Sequence, residues 1–150
     1  MFKALSMITL LLAAATAAAQ VEVKGAWARA TVAGQTGSGA FMTLTAKEHM
    51  RIVGAASPVA GVAEIHEMAM DGNVMRMRAV PTLDLPAGQP IELKPGGYHL
   101  MLLDLKRALR PGEKVAVDLR LETKDGKRLT QPIEIDVRAP GAASSGAHKH

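Results

Sequence analysis

The sequence predicts a single all-β domain, built as an antiparallel sandwich or small barrel. Three observations predict it. Apolar and polar residues alternate with the period of a half-buried strand, most clearly in Val115-Ala116-Val117-Asp118-Leu119-Arg120-Leu121 and Ile133-Glu134-Ile135-Asp136-Val137. Turn signals recur at short, regular intervals: Ser57-Pro58, Asp71-Gly72, Pro86-Ala87-Gly88, Pro95-Gly96-Gly97, Pro111-Gly112 and Asp125-Gly126. The 150 residues suit one domain with its own core, and there is no internal repeat to divide them.

Taken in order, residues 1–19 read as a cleaved signal peptide. Lys3 supplies the positive start, an apolar run extends from Leu5 to Ala15, and Ala17-Ala18-Ala19 gives a small-x-small cleavage site before Gln20. The run is too short to be a comfortable membrane span, so no span is expected after cleavage, an uncleaved anchor being the alternative. Candidate strands follow at 21–31, 39–45, 51–57, 63–68, 74–80, 90–93, 98–103, 115–122 and 133–137, with one short helical turn at 105–109. The domain is expected over 20–138. From 139 to 150 the composition turns to Pro, Gly, Ala and Ser and ends His148-Lys149-His150, which predicts a disordered tail.

Composition removes several function classes. The net charge is +4, or +3 without Lys3, and the basic residues are scattered among acids. After cleavage the aromatics are Trp27, Phe41 and Tyr98. A basic patch with interleaved aromatics is missing, so no nucleic-acid partner is expected. With no Cys there are no disulfides, no thiolate metal sites and no Cys nucleophile. Ser38, Ser57, Ser144 and Ser145 lie in turn-like or tail sequence without a nucleophile elbow, Gly96-Gly97 opens a strand rather than a phosphate-binding helix, and no pair of carboxylates is spaced for acid–base work. An enzyme is not expected.

The nine methionines are the unusual feature. Four of the seven outside the signal segment fall between Met68 and Met77. Asp71-Gly72 is a strong two-residue hairpin turn, because a type I′ turn needs positive φ at both central positions. It would set Met70 opposite Asn73, Met68 opposite Met75, His66 opposite Met77, and Glu67 opposite Arg76 on the other face. His66, Met68, Met75 and Met77 then share one face, with opposed Cβ atoms about 4.5–5.5 Å apart. In the later strand His99 and Met101 share a face, while Tyr98, Leu100 and Leu102 share the other, which is assigned to the core. Two imidazoles and at least two thioethers thus come from separate strands, with Glu64, Glu67, Asp71 and Asp84 as possible neighbours. Soft, uncharged thioethers select Cu(I) and suit Ca²⁺, Mg²⁺, Mn²⁺ or zinc poorly. The competing reading is core methionine and hydrogen-bonded histidine.

The spacing His66, ten residues, Met77, twenty-one residues, His99-x-Met101 resembles the periplasmic copper-A chaperone family (PCuAC), whose motif is H(M)x10Mx21HxM. Ser57-Pro58-Val59-Ala60, Glu64-Ile65-His66-Glu67-Met68, Val74-Met75-Arg76-Met77-Arg78 and Gly97-Tyr98-His99-Leu100-Met101 also look like that family, and the resemblance covers most of the mature chain. It implies a cupredoxin-like antiparallel Greek-key β-sandwich or barrel. It implies one Cu(I) held by His66, Met77, His99 and Met101, with Met68 matching the parenthesised methionine as an auxiliary. It implies a periplasmic chaperone delivering copper toward the copper-A centre of cytochrome c oxidase, with an Sco-type thiol protein or the oxidase copper-A subunit as acceptor. The chain is expected to act as a monomer. The alternative is copper sequestration or tolerance without a dedicated oxidase partner. His148 and His150 offer an auxiliary Cu(II) site in the tail. His49-Met50 is read as a solvated turn, since adjacent strand residues point to opposite faces.

Overall fold

The computed structural model describes residues 20–139; the expected signal segment and His148 and His150 of the tail lie outside the described residues. Ten strands form: β1 (Val21–Arg29), β2 (Gly37–Ala46), β3 (Met50–Ala56), β4 (Ala60–Asp71), β5 (Val74–Ala79), β6 (Leu83–Leu85), β7 (Ile91–Leu93), β8 (His99–Leu105), β9 (Lys114–Thr123) and β10 (Arg128–Arg138). No helix occurs among the described residues, and none is long and apolar enough to cross a membrane.

The expected all-β class holds, and each of the nine expected strands is present. β6 is an addition: three residues are too few to show alternation, yet Leu83 and Leu85 are buried and the strand pairs with β3. The expected helical turn at 105–109 is absent. Its backbone groups bond to distant segments instead of to one another: Lys106 N donates to Val59 O at 2.9 Å, Leu109 N to Thr31 Oγ1 at 2.8 Å, and Thr31 N to Leu109 O at 2.9 Å. Leu109 is fully buried, so tertiary contact overrides the local preference.

Strand order runs β4-β8-β2-β1-β10-β9-β3, and β3 pairs back to β4 through Ala55 and Ala63, which closes a seven-stranded barrel. Closure removes sheet edges. Pairing is antiparallel except between β1 and β10, which run parallel over Trp27–Arg29 and Asp136–Arg138. A bulge in β1 between Lys24 and Trp27 takes Gly25 to a φ of 62°, a conformation in which a side chain is strained.

The barrel interior takes alternate residues, as the sequence predicts for β9 and β10: Val115, Val117, Leu119 and Leu121 face Ile133, Ile135 and Val137 in the core. Leu100 and Leu102 of β8 are also fully buried, and each such Leu contributes about 1.5–3 kcal/mol of transfer free energy. They anchor β8 and so fix where its intervening residues, His99 and Met101, are held. Tyr98, expected with them, is 36% exposed and precedes the strand. Met50 is 2% exposed and starts β3, so it is core filler rather than part of a solvated turn, while His49 is exposed. β5 pairs with β4 alone and is exposed along its whole length. The β4–β5 hairpin therefore projects from the barrel as an arm.

On the far wall, Glu122 accepts from Arg51 Nε at 3.0 Å and pairs with Arg128 Nε at 3.4 Å. The hydrogen bond from Arg51 is the main cause that holds its carboxyl below the ordinary value of 4.5, with burial opposing. A depressed carboxylate stabilises the fold above its unfolded pKa and loses that contribution as pH falls through the folded value. Glu122→Gln should therefore lower the urea midpoint at neutral pH and leave it nearly unchanged in strong acid; a constant deficit across the acid range would contradict the pairing.

Candidate metal centre

The arm's register decides which side chains meet. Asp71 pairs with Val74, so the two-residue loop is Gly72-Asn73, not Asp71-Gly72. Gly72 has a φ of 63° and the positive φ does not extend to Asn73, the pattern of a type II′ turn. A type I′ turn on Asp71-Gly72 would have forced Asp71 into the left-handed region; the observed turn puts that requirement on glycine. Relative to the expected pairing, the strands are offset by two residues. Met68 lies opposite Met77, Met70 opposite Met75, and His66 opposite Ala79. Because the offset is even, every side chain keeps its face. Glu67 pairs with Arg78, at 2.6 Å, instead of Arg76, and Arg76 reaches Asp71 at 3.3 Å.

His66 gains a different neighbour. It is the last residue of β4 to pair with β8, and its cross-strand partner there is His99, the first residue of that strand. The two rings are 6.0 Å apart between centroids. Glu64, two residues earlier on the same face and paired with Met101, lies 2.7 Å from His66 Nε2 through Oε1.

Each imidazole has one nitrogen tied to oxygen and one without an oxygen partner. Gly97 O lies 2.9 Å from His99 Nδ1. A carbonyl oxygen can only accept, so Nδ1 carries the proton and Nε2 of the neutral ring presents a lone pair. That lone pair meets Met77 Sδ at 3.0 Å. Sulfur is itself a lone-pair donor, so with the ring neutral the contact sets two lone-pair donors side by side. At His66 the Glu64 carboxylate accepts from Nε2, which leaves Nδ1 as the lone pair, and Nδ1 is buried without a hydrogen-bond partner. A buried polar atom left unpaired costs about 1–3 kcal/mol. Oxygen acceptors that orient a ring and raise its basicity are the usual outer support of metal-binding histidine.

A cleft of about 290 Å³ opens beside these groups, lined by Met68, Met77, His99 and Met101 together with Arg29, Phe41, Gly39 and Pro95 among others. Three of the four expected ligands thus line one cleft, with the auxiliary Met68; His66 is not among the lining residues and adjoins them through His99. His99 is 6% exposed and Met77 52% exposed, so the site has a buried side and an open side.

The sequence did not single out the opposite wall. Phe41 sits 4.7 Å from Trp27 and 6.4 Å from His99 between centroids, with the Arg29 guanidinium 5.1 Å above its ring. A side chain at Gly39, which pairs with Met101, would press on the Phe41 ring at 3.2 Å, so glycine keeps this wall open. No local signal marks these residues, because the register that joins β2 to β8 is set by the whole barrel. Among the described residues there is no group of three or more His, Asp or Glu that could hold a metal.

A family model described as "Putative lipoprotein LpqE-like" matches residues 21–135. "Putative lipoprotein Lxx21020" of Leifsonia xyli subsp. xyli is 34% identical over 119 residues, covering 79% of this chain and 69% of that protein. The solution structure of CuI-DR1885 from Deinococcus radiodurans is 33% identical, with 83% of each chain covered and a TM-score of 0.58. The copper-bound PCuAC domain from PmoF2 is 22% identical and shares the fold, covering 83% of this chain and 97% of that one with a TM-score of 0.64.

The bonding around His99 makes a spectroscopic prediction. In mildly alkaline solution, nitrogen chemical shifts of the metal-free protein should show Nδ1 protonated and Nε2 bare at His99, with the reverse at His66. The opposite pair of tautomers would remove the case for two lone pairs held ready for a cation.

Proposed function

The chain belongs to the LpqE-like lipoprotein family, and on that premise we propose that it is an extracytoplasmic copper carrier that holds one Cu(I) ion with His66, Met77, His99 and Met101. The observation that carries the reading is the approach of His99 Nε2 to Met77 Sδ at 3.0 Å, beside a second imidazole with a buried, unpartnered nitrogen. The Cu(I)-bound form of the 33% identical DR1885 supports the choice of ion. So does the chemistry of the donors: two neutral imidazoles and two neutral thioethers favour a soft monovalent cation.

The same set favours release. A partner that offers thiolates brings negative charge that this site lacks, so transfer runs downhill to a cysteine-rich acceptor. The open side at Met77 lets the partner's ligands enter as these leave. From the resemblance to the copper-A chaperone family we further propose delivery toward the copper-A centre of cytochrome c oxidase, through an Sco-type thiol protein or directly to the oxidase subunit. The role is carriage, not catalysis, performed in the periplasm by a monomer after removal of residues 1–19. In the tail, His148 and His150 offer imidazoles to Cu(II), a harder ion than the cleft suits.

His66→Ala and Met101→Ala should each weaken Cu(I) binding by more than about 100-fold while the far-UV spectrum stays that of the native fold. Glu64→Ala should cost about 10–100-fold, the usual effect of losing an outer partner of a ligating histidine. Competition against a Cu(I) chelator reads both. X-ray absorption of the loaded protein should show mixed nitrogen and sulfur scattering, and an oxygen-only shell would overturn the assignment.

A further inference from the structure

The arm carries more sulfur than the proposed site uses. Met68 and Met77 form one cross-strand pair, and Met70 and Met75 form the next one outward, on the same face. Neither member of the outer pair serves the core: Met70 is 63% and Met75 49% exposed. The arm's other face carries the Glu67–Arg78 and Asp71–Arg76 ion pairs. The result is a ladder of two thioether pairs that starts beside His66 and ends at the Gly72-Asn73 turn. Directly opposed Cβ atoms lie about 4.5–5.5 Å apart, and a methionine side chain has three rotatable bonds, so two sulfurs of one rung can close on a single ion.

We propose that Met70 and Met75 form a second, weaker Cu(I) station at the tip of the arm, through which the ion passes on its way into and out of the inner site. The proposal rests on the reading of the cleft as a Cu(I) site. Two neutral thioethers bind Cu(I) more weakly than the four-donor inner set, and that difference gives the ladder its direction. The ion exchanges one thioether for another at each rung, with no change of oxidation state and no proton taken or given up. At the tip, Met70 is more exposed than either sulfur of the inner rung, where Met77 is 52% exposed and Met68 half-buried, so it meets an incoming donor or chelator first. The cost of the design is two oxidisable side chains held in solvent, which a merely structural hairpin would replace with β-branched residues at no loss.

The test uses the full chain with Cu(I) under reducing conditions. The double variant Met70→Ile, Met75→Ile keeps apolar surface and strand preference but removes both sulfurs. Its equilibrium affinity in chelator competition should stay within about twofold of the native value, while stopped-flow transfer of Cu(I) to a small-molecule chelator should slow about tenfold, equivalent to ~1.4 kcal/mol. In a His66→Ala, Met68→Ile, Met77→Ile, His99→Ala, Met101→Ile background, which removes the inner donors, X-ray absorption should show a residual, weakly held Cu(I) with sulfur-only scattering, and adding the two isoleucines at 70 and 75 should abolish it. Native transfer rates in the isoleucine variant, with mixed nitrogen and sulfur scattering intact, would overturn the outer station and leave the inner site standing. A native chain that takes up no Cu(I) would overturn both.

Discussion

The pairing of β4 with β8 is the constraint on which the site depends. It places His66 directly across from His99 and Glu64 across from Met101. β8 can hold that position because Leu100 and Leu102, between and beyond its two functional residues, are fully buried in the barrel. Hydrophobic burial on one face of a strand thus fixes the polar chemistry on the other. The barrel ends where this chemistry begins: past His66, β4 loses β8 and keeps only β5 as its neighbour.

Two kinds of oxygen atom then prepare the imidazoles. A backbone carbonyl from the Pro95-Gly96-Gly97 turn orients His99, and a carboxylate two residues earlier on the same face of β4 orients His66. Neither oxygen needs to touch the cargo. Each ties up one nitrogen and leaves the other without an oxygen partner. The result is an ordered pair of rings, one of which sets a nitrogen 3.0 Å from a methionine sulfur.

Much of this was legible in the sequence because strand periodicity is insensitive to even offsets. The hairpin register was misjudged by two residues, yet His66, Met68, Met75 and Met77 kept their common face. The error came from turn chemistry: Asp-Gly and Gly-Asn are both turn-forming pairs, and only the backbone shows which residue takes the positive φ. The direct partner of His66 was not legible, since β4 and β8 are joined by barrel closure and not by any local signal. Phe41 and Arg29 were hidden for the same reason. Met50 and Met42 show the reverse case, methionines whose burial in the core no composition count distinguishes from ligands.

A closed barrel whose exposed sulfur is confined to one arm separates durability from competence. Oxidation of Met70, Met75 or Met77 to the sulfoxide would exchange a soft donor for a hard oxygen while leaving every barrel strand paired. Such damage is invisible to calorimetry or proteolysis, and repair by sulfoxide reduction would find the scaffold intact. On the proposed function, the molecule would fail as a carrier long before it failed as a protein.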